Sequence, residues 1–177
     1  AGLDCLSNAK MLTGDLLPKG ASFMMRTDTC PPTMETLTTE QLFGGKRSVI
    51  FAVPGAFTPT CSEKHLPSFV TLREELRAAG AEVVACVSVN DPFVMREWGL
   101  AQKVEDKVLM LADGDGSFSE AIGELVDKGA AMGKRCNRYA MVVNKDLKIE
   151  IMLKEAPVSG SYGETSAESV LKFLKGA

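Results

Sequence analysis

Apolar residues fall along this chain in short runs separated by stretches with helical spacing. Residues 46–53 (KRSVIFAV) and 82–89 (EVVACVSV) are β-branched and apolar without alternation, the pattern of strands buried on both faces. Residues 107–111 (KVLML), 138–143 (RYAMVV) and 147–153 (LKIEIML) read as three more strands, the last two joined as a hairpin through Asn144, Lys145 and Asp146. Residues 22–27 and 33–38 read as the strands of an N-terminal hairpin. Between the runs the spacing changes. Over residues 61–79 His65, Phe69, Leu72 and Leu76 share one stripe, which predicts a helix. Asp91-Pro92 opens a second helix running to about Lys103, with Asp91 as N-cap and Pro92 in the first turn. Residues 117–126 read as a short helix, and residues 165–174 as a last one opened by a Thr165–Glu168 capping box. Residues 1–20 show little periodicity.

The order β-α-β-α-β-α-β-β-α argues for an α/β layered fold. The closing hairpin and helix are those of a thioredoxin-like domain, so the expected architecture is a central mixed β-sheet flanked by helices, with the N-terminal hairpin as an addition. A chain of 177 residues can bury a real core in one domain. The net charge of −3, with no basic stripe, argues against nucleic acid, and no apolar run reaches the length of a membrane span. The first residue is Ala, as expected of a processed, trimmed or engineered N-terminus. Five scattered cysteines (Cys5, Cys30, Cys61, Cys86, Cys136) without a C-x-x-C pair point to a reducing, intracellular setting. With a single histidine, a structural zinc site is not expected, and no metal is assigned.

Residues 51–69, FAVPGAFTPTCSEKHLPSF, carry the chemistry. A buried strand ends at Pro54 and a thiol follows at a helix start. Thr60 and Glu63 are spaced as a capping box, which puts Cys61 in the first turn, where open amides and the helix dipole favour a thiolate. Pro67 predicts a kink, Pro54 and Pro59 stiffen the loop, Gly55 permits close backbone approach, and Thr58 offers a hydroxyl. On these grounds alone Cys61 is either a reactive thiol or a buried core cysteine.

The stretch PGAFTPTCS resembles the P-x-x-x-T-x-x-C motif of peroxiredoxins, with Pro54, Thr58 and Cys61 in register. VVACVSVNDPFVMREWG and RYAMVV extend the resemblance to the type II, peroxiredoxin-five-like group, most of all its plant and algal members. It runs from about Gly14 to the last helix, which makes residues 14–177 one domain and 1–13 an extension. The resemblance implies a thiol peroxidase that reduces hydrogen peroxide and alkyl hydroperoxides without a cofactor. Cys61 would be the nucleophile, Thr58 would steer the peroxide, Pro54 would shield the sulfenic acid, and the amides of Gly55 and Cys61 would hold peroxide oxygens. Arg138 matches the family's arginine, with Arg135 as a nearby second candidate. Cys86 matches the second cysteine of plant members. Lying in a buried strand about four residues, roughly 13 Å, below the edge where Cys61 sits, it is either a resolving thiol or an inert core residue. The animal-type resolving position, within residues 159–169, holds no cysteine. Reduction by glutaredoxin, glutathione or thioredoxin is therefore expected. Phe93, Val94 and Trp98 read most simply as helix packing; the family also implies a homodimer with this flank and the Cys61 loop near the contact, and a cytoplasmic or organellar location. A peroxide sensor that passes oxidation to partner proteins is the alternative.

Other features invite weaker readings. Cys5, Cys30 and Cys136 have no assigned role. His65, four residues after Cys61, could form a Cys–His dyad but reads as a packing residue. Asp113, Asp115, Ser117 and Glu124 imitate a calcium loop, but Phe118 stands where the sharp turn needs Gly. Residues 44–48 (GGKRS) echo a phosphate loop but precede their strand.

Overall fold

In the computed structural model, residues 11–27, 33–156, 158 and 160–176 are described; Cys5 and Cys30 lie outside them. The elements in chain order are β1 (Ser22–Arg26), β2 (Met34–Thr38), α1 (Thr39–Phe43), β3 (Ser48–Ala52), a π-helical turn (Cys61–His65), α2 (Leu66–Thr71), α3 (Arg73–Ala78), β4 (Val83–Ser88), α4 (Pro92–Ala101), β5 (Leu109–Ala112), α5 (Ser117–Ala121), β6 (Leu125–Asp127), β7 (Lys134–Cys136), β8 (Tyr139–Val143), β9 (Ile149–Lys154) and α6 (Ala167–Leu174). Seven strands form one sheet in the order β2-β1-β5-β4-β3-β8-β9, and β6 pairs with β7 in a separate ribbon. The pairs β3–β4 and β4–β5 are parallel, while β8 runs antiparallel to β3 and β9 to β8. This is the expected thioredoxin-like mixed sheet with its N-terminal hairpin.

The two unbroken apolar runs are β3 and β4, at the middle of the sheet. Every residue of β3 is buried. Along β3, Val49 and Phe51 enter one core and Ile50 and Ala52 the other, the period of two that a pleated strand imposes. The first core holds Cys61, Phe69, Leu76, Trp98 and Val170, with Phe51 stacked on Phe69 at 4.0 Å. The second holds Phe23, Phe43, Phe118 and Tyr139. Each buried Val, Leu or Phe among them contributes about 1.5–3 kcal/mol of apolar transfer.

The helix expected over residues 61–79 is broken into three. The backbone is π-helical over Cys61–His65, and Leu66 N donates to Cys61 O, five residues back. Pro67 accounts for this: it has no N–H, and its ring would collide with the carbonyl of Glu63 in a regular α-helix, so the wider turn absorbs it. Leu72, at φ −92° and ψ 15°, then separates α2 from α3. The helix expected over 117–126 stops at Ala121. Gly123 takes a left-handed φ of 72°, and Leu125–Asp127 turns away as β6. The last helix is capped by Ser166, which accepts from Ser169 N, rather than by Thr165. Asp91 caps α4 as expected, accepting from Val94 N at 2.9 Å.

The chain from Met11 onward is anchored, not trailing. Met11 N donates to Ile122 O, Gly14 N to Ile149 O and Leu17 N to Leu147 O, and Leu17 is buried. No described helix is long and apolar enough to cross a membrane.

Candidate active site

The loop after β3 is fixed to the end of β4 before any side chain of the site is considered. Val53 N donates to Val87 O at 3.0 Å. Ser88 Oγ lies 3.0 Å from Val53 O and 2.7 Å from Asn90 Oδ1, and Asn90 Oδ1 accepts from Ala56 N at 3.0 Å. Phe57 holds a left-handed φ of 61°, a costly conformation for a bulky side chain, and its ring is exposed. Thr58 follows, its hydroxyl donating to Gly55 O at 2.7 Å. With its proton committed there, Thr58 Oγ1 can only accept from a further partner.

Helical backbone begins at Pro59, and its first bond runs from Ser62 N to Thr58 O at 3.0 Å. Thr58 therefore stands at the N-cap position, and Pro59 fits the first helical position because its missing N–H would be unpaired there anyway. Thr60, expected as the cap, has helical dihedrals and makes no capping bond. Cys61 still falls in the first turn, ahead of the first intrahelical bond, among the open amides. It is 1 % exposed.

Strand register delivers the arginine. Ala52 of β3 faces Tyr139 of β8, so the antiparallel ladder sets Arg138 beside the start of the loop. Its guanidinium bridges two groups: Nη2 donates to Cys61 Sγ at 3.4 Å and Nη1 to His65 Nδ1 at 2.9 Å. The His65 tautomer follows from its other side. Nε2 lies 3.0 Å from Thr165 O, and a carbonyl only accepts, so Nε2 carries the hydrogen and Nδ1 the lone pair. Burial and then the Arg138 charge lower the His65 pKa from 6.5 to about 3, against the raising effect of Thr165 O, which keeps the ring neutral. Phe51, Phe69 and Tyr162 hold it by ring contacts. A Cys–His dyad is thus not formed: both ring nitrogens are engaged elsewhere.

Pro54, Thr58 and Arg138 line a groove of about 850 Å³, bordered further out by Val126, Met132 and Val158. Gly55 matters here for space. A Cβ on it would sit 3.1 Å from Thr58 Cγ2 and 3.4 Å from Met132 Cε. Arg135 turns away from this group, its Nε donating to Met132 O at 2.8 Å and its Nη1 to Val89 O at 3.0 Å.

The structure therefore brings together Pro54, Gly55, Thr58, Cys61 and Arg138, and leaves Cys86 inside β4. Cys86 faces Phe51 and Met110 across the ladder, is fully buried, and has its thiol pKa pushed well up by burial and then by the neighbouring Cys61 and Cys136 thiols. Because β4 ends at Ser88, Cys86 lies two residues below the strand end rather than four. Cys136, in β7, donates to Val53 O at 3.1 Å, and burial raises its pKa to about 12. All three described cysteines are unpaired. The calcium-like carboxylates are consumed internally. Asp113 accepts from Phe118 N, Ser119 N and Ser119 Oγ, and Glu124 pairs with Lys154 at 2.6 Å. No metal-binding cluster occurs among the described residues.

Sequence reasoning missed two features of this site. Asn90 was legible only as part of a helix start, although Asn before Asp-Pro is also a loop acceptor. His65 carried a visible signal, its i,i+4 spacing from Cys61, but the partner on its far side comes from residue 165.

Comparison with known proteins gives a consistent picture. The Redoxin family matches residues 12–171. The chain is 41 % identical over 169 residues to chloroplastic Peroxiredoxin-2E of Arabidopsis thaliana, covering 94 % of this chain and 70 % of that protein. It is 46 % identical over 153 residues to a peroxiredoxin of Synechocystis sp., covering 83 % and 80 %. Among solved structures, reduced Prx3 of Vibrio vulnificus in complex with hydrogen peroxide superposes with a TM-score of 0.86 at 43 % identity, covering 93 % of this chain and 99 % of that one. A thiol at an open helix start, held beside a guanidinium, is thus found in a chain that belongs to the Redoxin family, as a peroxiredoxin and thiol peroxidase.

Proposed function

We propose that Cys61 is the peroxidatic nucleophile and that the protein reduces hydrogen peroxide and small alkyl hydroperoxides. The observation that carries this reading is the 3.4 Å contact from Arg138 Nη2 to the Cys61 sulfur in the first helical turn. The thiolate attacks one peroxide oxygen, the O–O bond breaks, and the sulfur becomes a sulfenic acid. The leaving oxygen departs as alkoxide or hydroxide and takes up a proton to give alcohol or water. Arg138 supplies a fixed donor to the thiolate and then to the leaving oxygen, where the charge develops. Thr58 Oγ1, its own proton given to Gly55 O, accepts the hydrogen of the peroxide. The amides of Gly55 and Cys61 hold the oxygens, and Pro54 covers the sulfenic acid.

Reduction comes from outside the chain, through glutathione and glutaredoxin, with thioredoxin as the competing donor. The placement of Cys86 supports this. Its sulfur is fully buried in a strand paired on both sides, so bonding to Cys61 would require β4 or the helix start to open. The exposed rings of Phe57 and Phe93 suit coverage by a second copy as a homodimer. An organellar location follows the chloroplastic relatives.

Turnover of hydrogen peroxide with each reductant tests the reading. Cys61→Ser is expected to abolish turnover, and Cys86→Ser to retain most of it with glutaredoxin and glutathione. Undiminished turnover by Cys61→Ser would remove Cys61 from the role, and loss in Cys86→Ser would restore an internal resolving step.

A further inference from the structure

We propose that Glu155 is a positioning residue that sets Arg138 against the Cys61 sulfur through Thr165 and His65. This rests on the reading of Cys61 and Arg138 as the reactive pair. Glu155 lies just beyond the end of β9, and Thr165 lies just before α6. One carboxylate oxygen, Glu155 Oε1, accepts three hydrogen bonds: from Gly163 N, Thr165 N and Thr165 Oγ1, each at 2.8 Å. Thr165 is fully buried. The Thr165 amide and hydroxyl, both tied to one oxygen, hold the residue's position. The next peptide, which carries the Thr165 carbonyl, is held by Ser166 N donating at 3.3 Å to the carbonyl of Gly163, itself bound to Glu155, so the Thr165 carbonyl points in a fixed direction. That direction is toward His65 Nε2, 3.0 Å away.

The carbonyl decides the tautomer. While Thr165 O faces Nε2, the ring keeps its hydrogen there and offers the Nδ1 lone pair to Arg138 Nη1 at 2.9 Å. If the carbonyl swings away, the buried Nε2–H loses its acceptor, and leaving such a donor unpaired is costly. The other tautomer would then aim an N–H at the guanidinium N–H, two donors facing each other, and Arg138 would lose the group that turns Nη2 toward Cys61. Burial works to raise the Glu155 pKa, but the bonds from Thr165 and Gly163 outweigh it and hold the pKa below the usual carboxylate value, as fits a group fixed by donors. The segment between the two residues, including Val158, Gly160 and Ser161, also walls the groove.

The geometry makes a specific demand, because the three bonds from Gly163 and Thr165 all converge on Oε1: the inference requires an acceptor at that position. Glu155→Gln can place its amide oxygen at the Oε1 position, whereas Glu155→Ala removes the acceptor. The chain has one histidine, so its imidazole ¹⁵N signals are unambiguous. Two readouts are taken on the reduced full chain: the ¹⁵N signals of His65, and the rate of Cys61 oxidation by hydrogen peroxide in a single turnover. Glu155→Ala is expected to shift the signals away from the Nε2–H tautomer and to slow oxidation about tenfold, as for loss of an oriented donor's support. Glu155→Gln is expected to keep the wild-type signals and a rate within about threefold of wild type, because its amide oxygen can still accept the two bonds from Thr165. If Glu155→Ala does not fold, Thr165→Val removes one of the three donors and is expected to change both readouts in the same direction, with the rate lower by about threefold.

Wild-type signals and rate in Glu155→Ala would overturn the inference. So would a slower rate with unchanged His65 signals, or Glu155→Gln impaired as badly as Glu155→Ala. Cys61→Ser run beside them separates the two claims: oxidation that persists there defeats the nucleophile assignment, while the His65 signals still report on Glu155.

Discussion

The start of the π-helical turn and the middle of β4 each place a cysteine in the same core, and the two are almost equally hidden: Cys61 is 1 % exposed and Cys86 0 %. What differs is the backbone around them. Cys61 precedes the first intrahelical bond, and a guanidinium donates to its sulfur. Cys86 lies between two paired strands whose amides and carbonyls are spent on the ladder, and burial first, then the neighbouring Cys61 and Cys136 thiols, push its thiol pKa up. Cys136 repeats the second case, since its sulfur acts as a donor to Val53 O and its pKa rises to about 12. Exposure therefore does not distinguish the two thiols. The donor aimed at the sulfur does, and the β3–β8 register sets it there; on the proposed reading this is what makes Cys61 the reactive one.

Removing the donor should erase most of the contrast. Arg138→Ala is expected to slow Cys61 oxidation about a hundredfold, the usual cost of one donor aimed at developing charge. Stopped-flow kinetics with hydrogen peroxide would read it, and a change under threefold would mean that the open helix turn alone activates the sulfur. Gly55→Ala acts on the loop rather than the charge. The new methyl lies 3.1 Å from Thr58 Cγ2, so it must push Thr58, and the same assay is expected to show a loss of about tenfold. A rate equal to wild type would show that Thr58 tolerates the displacement.

The smallest effect concerns the histidine behind Arg138. His65 has a folded pKa of about 3, below the value near 6.5 of an unfolded chain. Between those values the unfolded state binds the proton and the folded state does not. The stability that neutral His65 contributes is therefore complete above pH 6.5 and is lost progressively as pH falls toward 3. From pH 7 to 5.5 the loss is about 1 kcal/mol. Urea unfolding of wild type and His65→Asn across that range would isolate it, because the carboxylates titrate in both. Parallel slopes would contradict the neutral tautomer.

How much of this could be read from the sequence depended on whether the cause was local. The β3 and β4 runs declare themselves because a strand buried on both faces needs an unbroken apolar run. The Pro54–Cys61 loop is legible because its prolines, Gly55 and Thr58 are contiguous with the thiol. Helix α1, capped by Thr38 and Gln41, is too short to show a period. The cap at Thr60 was misplaced because Pro59, a good first helical residue, starts the helix earlier. The π-helical turn follows from Pro67, which announced a distortion but not its form. Arg138 needed the β3–β8 register, and the Thr165 carbonyl that meets His65 comes from 100 residues further along the chain, so neither geometry has a local signature.

The most direct test of the central claim is to add one equivalent of hydrogen peroxide to the fully reduced protein, quench within seconds with an alkylating reagent, and map every cysteine by mass spectrometry. The account predicts oxidation at Cys61 with Cys86 and Cys136 recovered as alkylated thiols. Slow and equal oxidation of the three would contradict it, because the donors around Cys61 would then confer no advantage over burial in a strand.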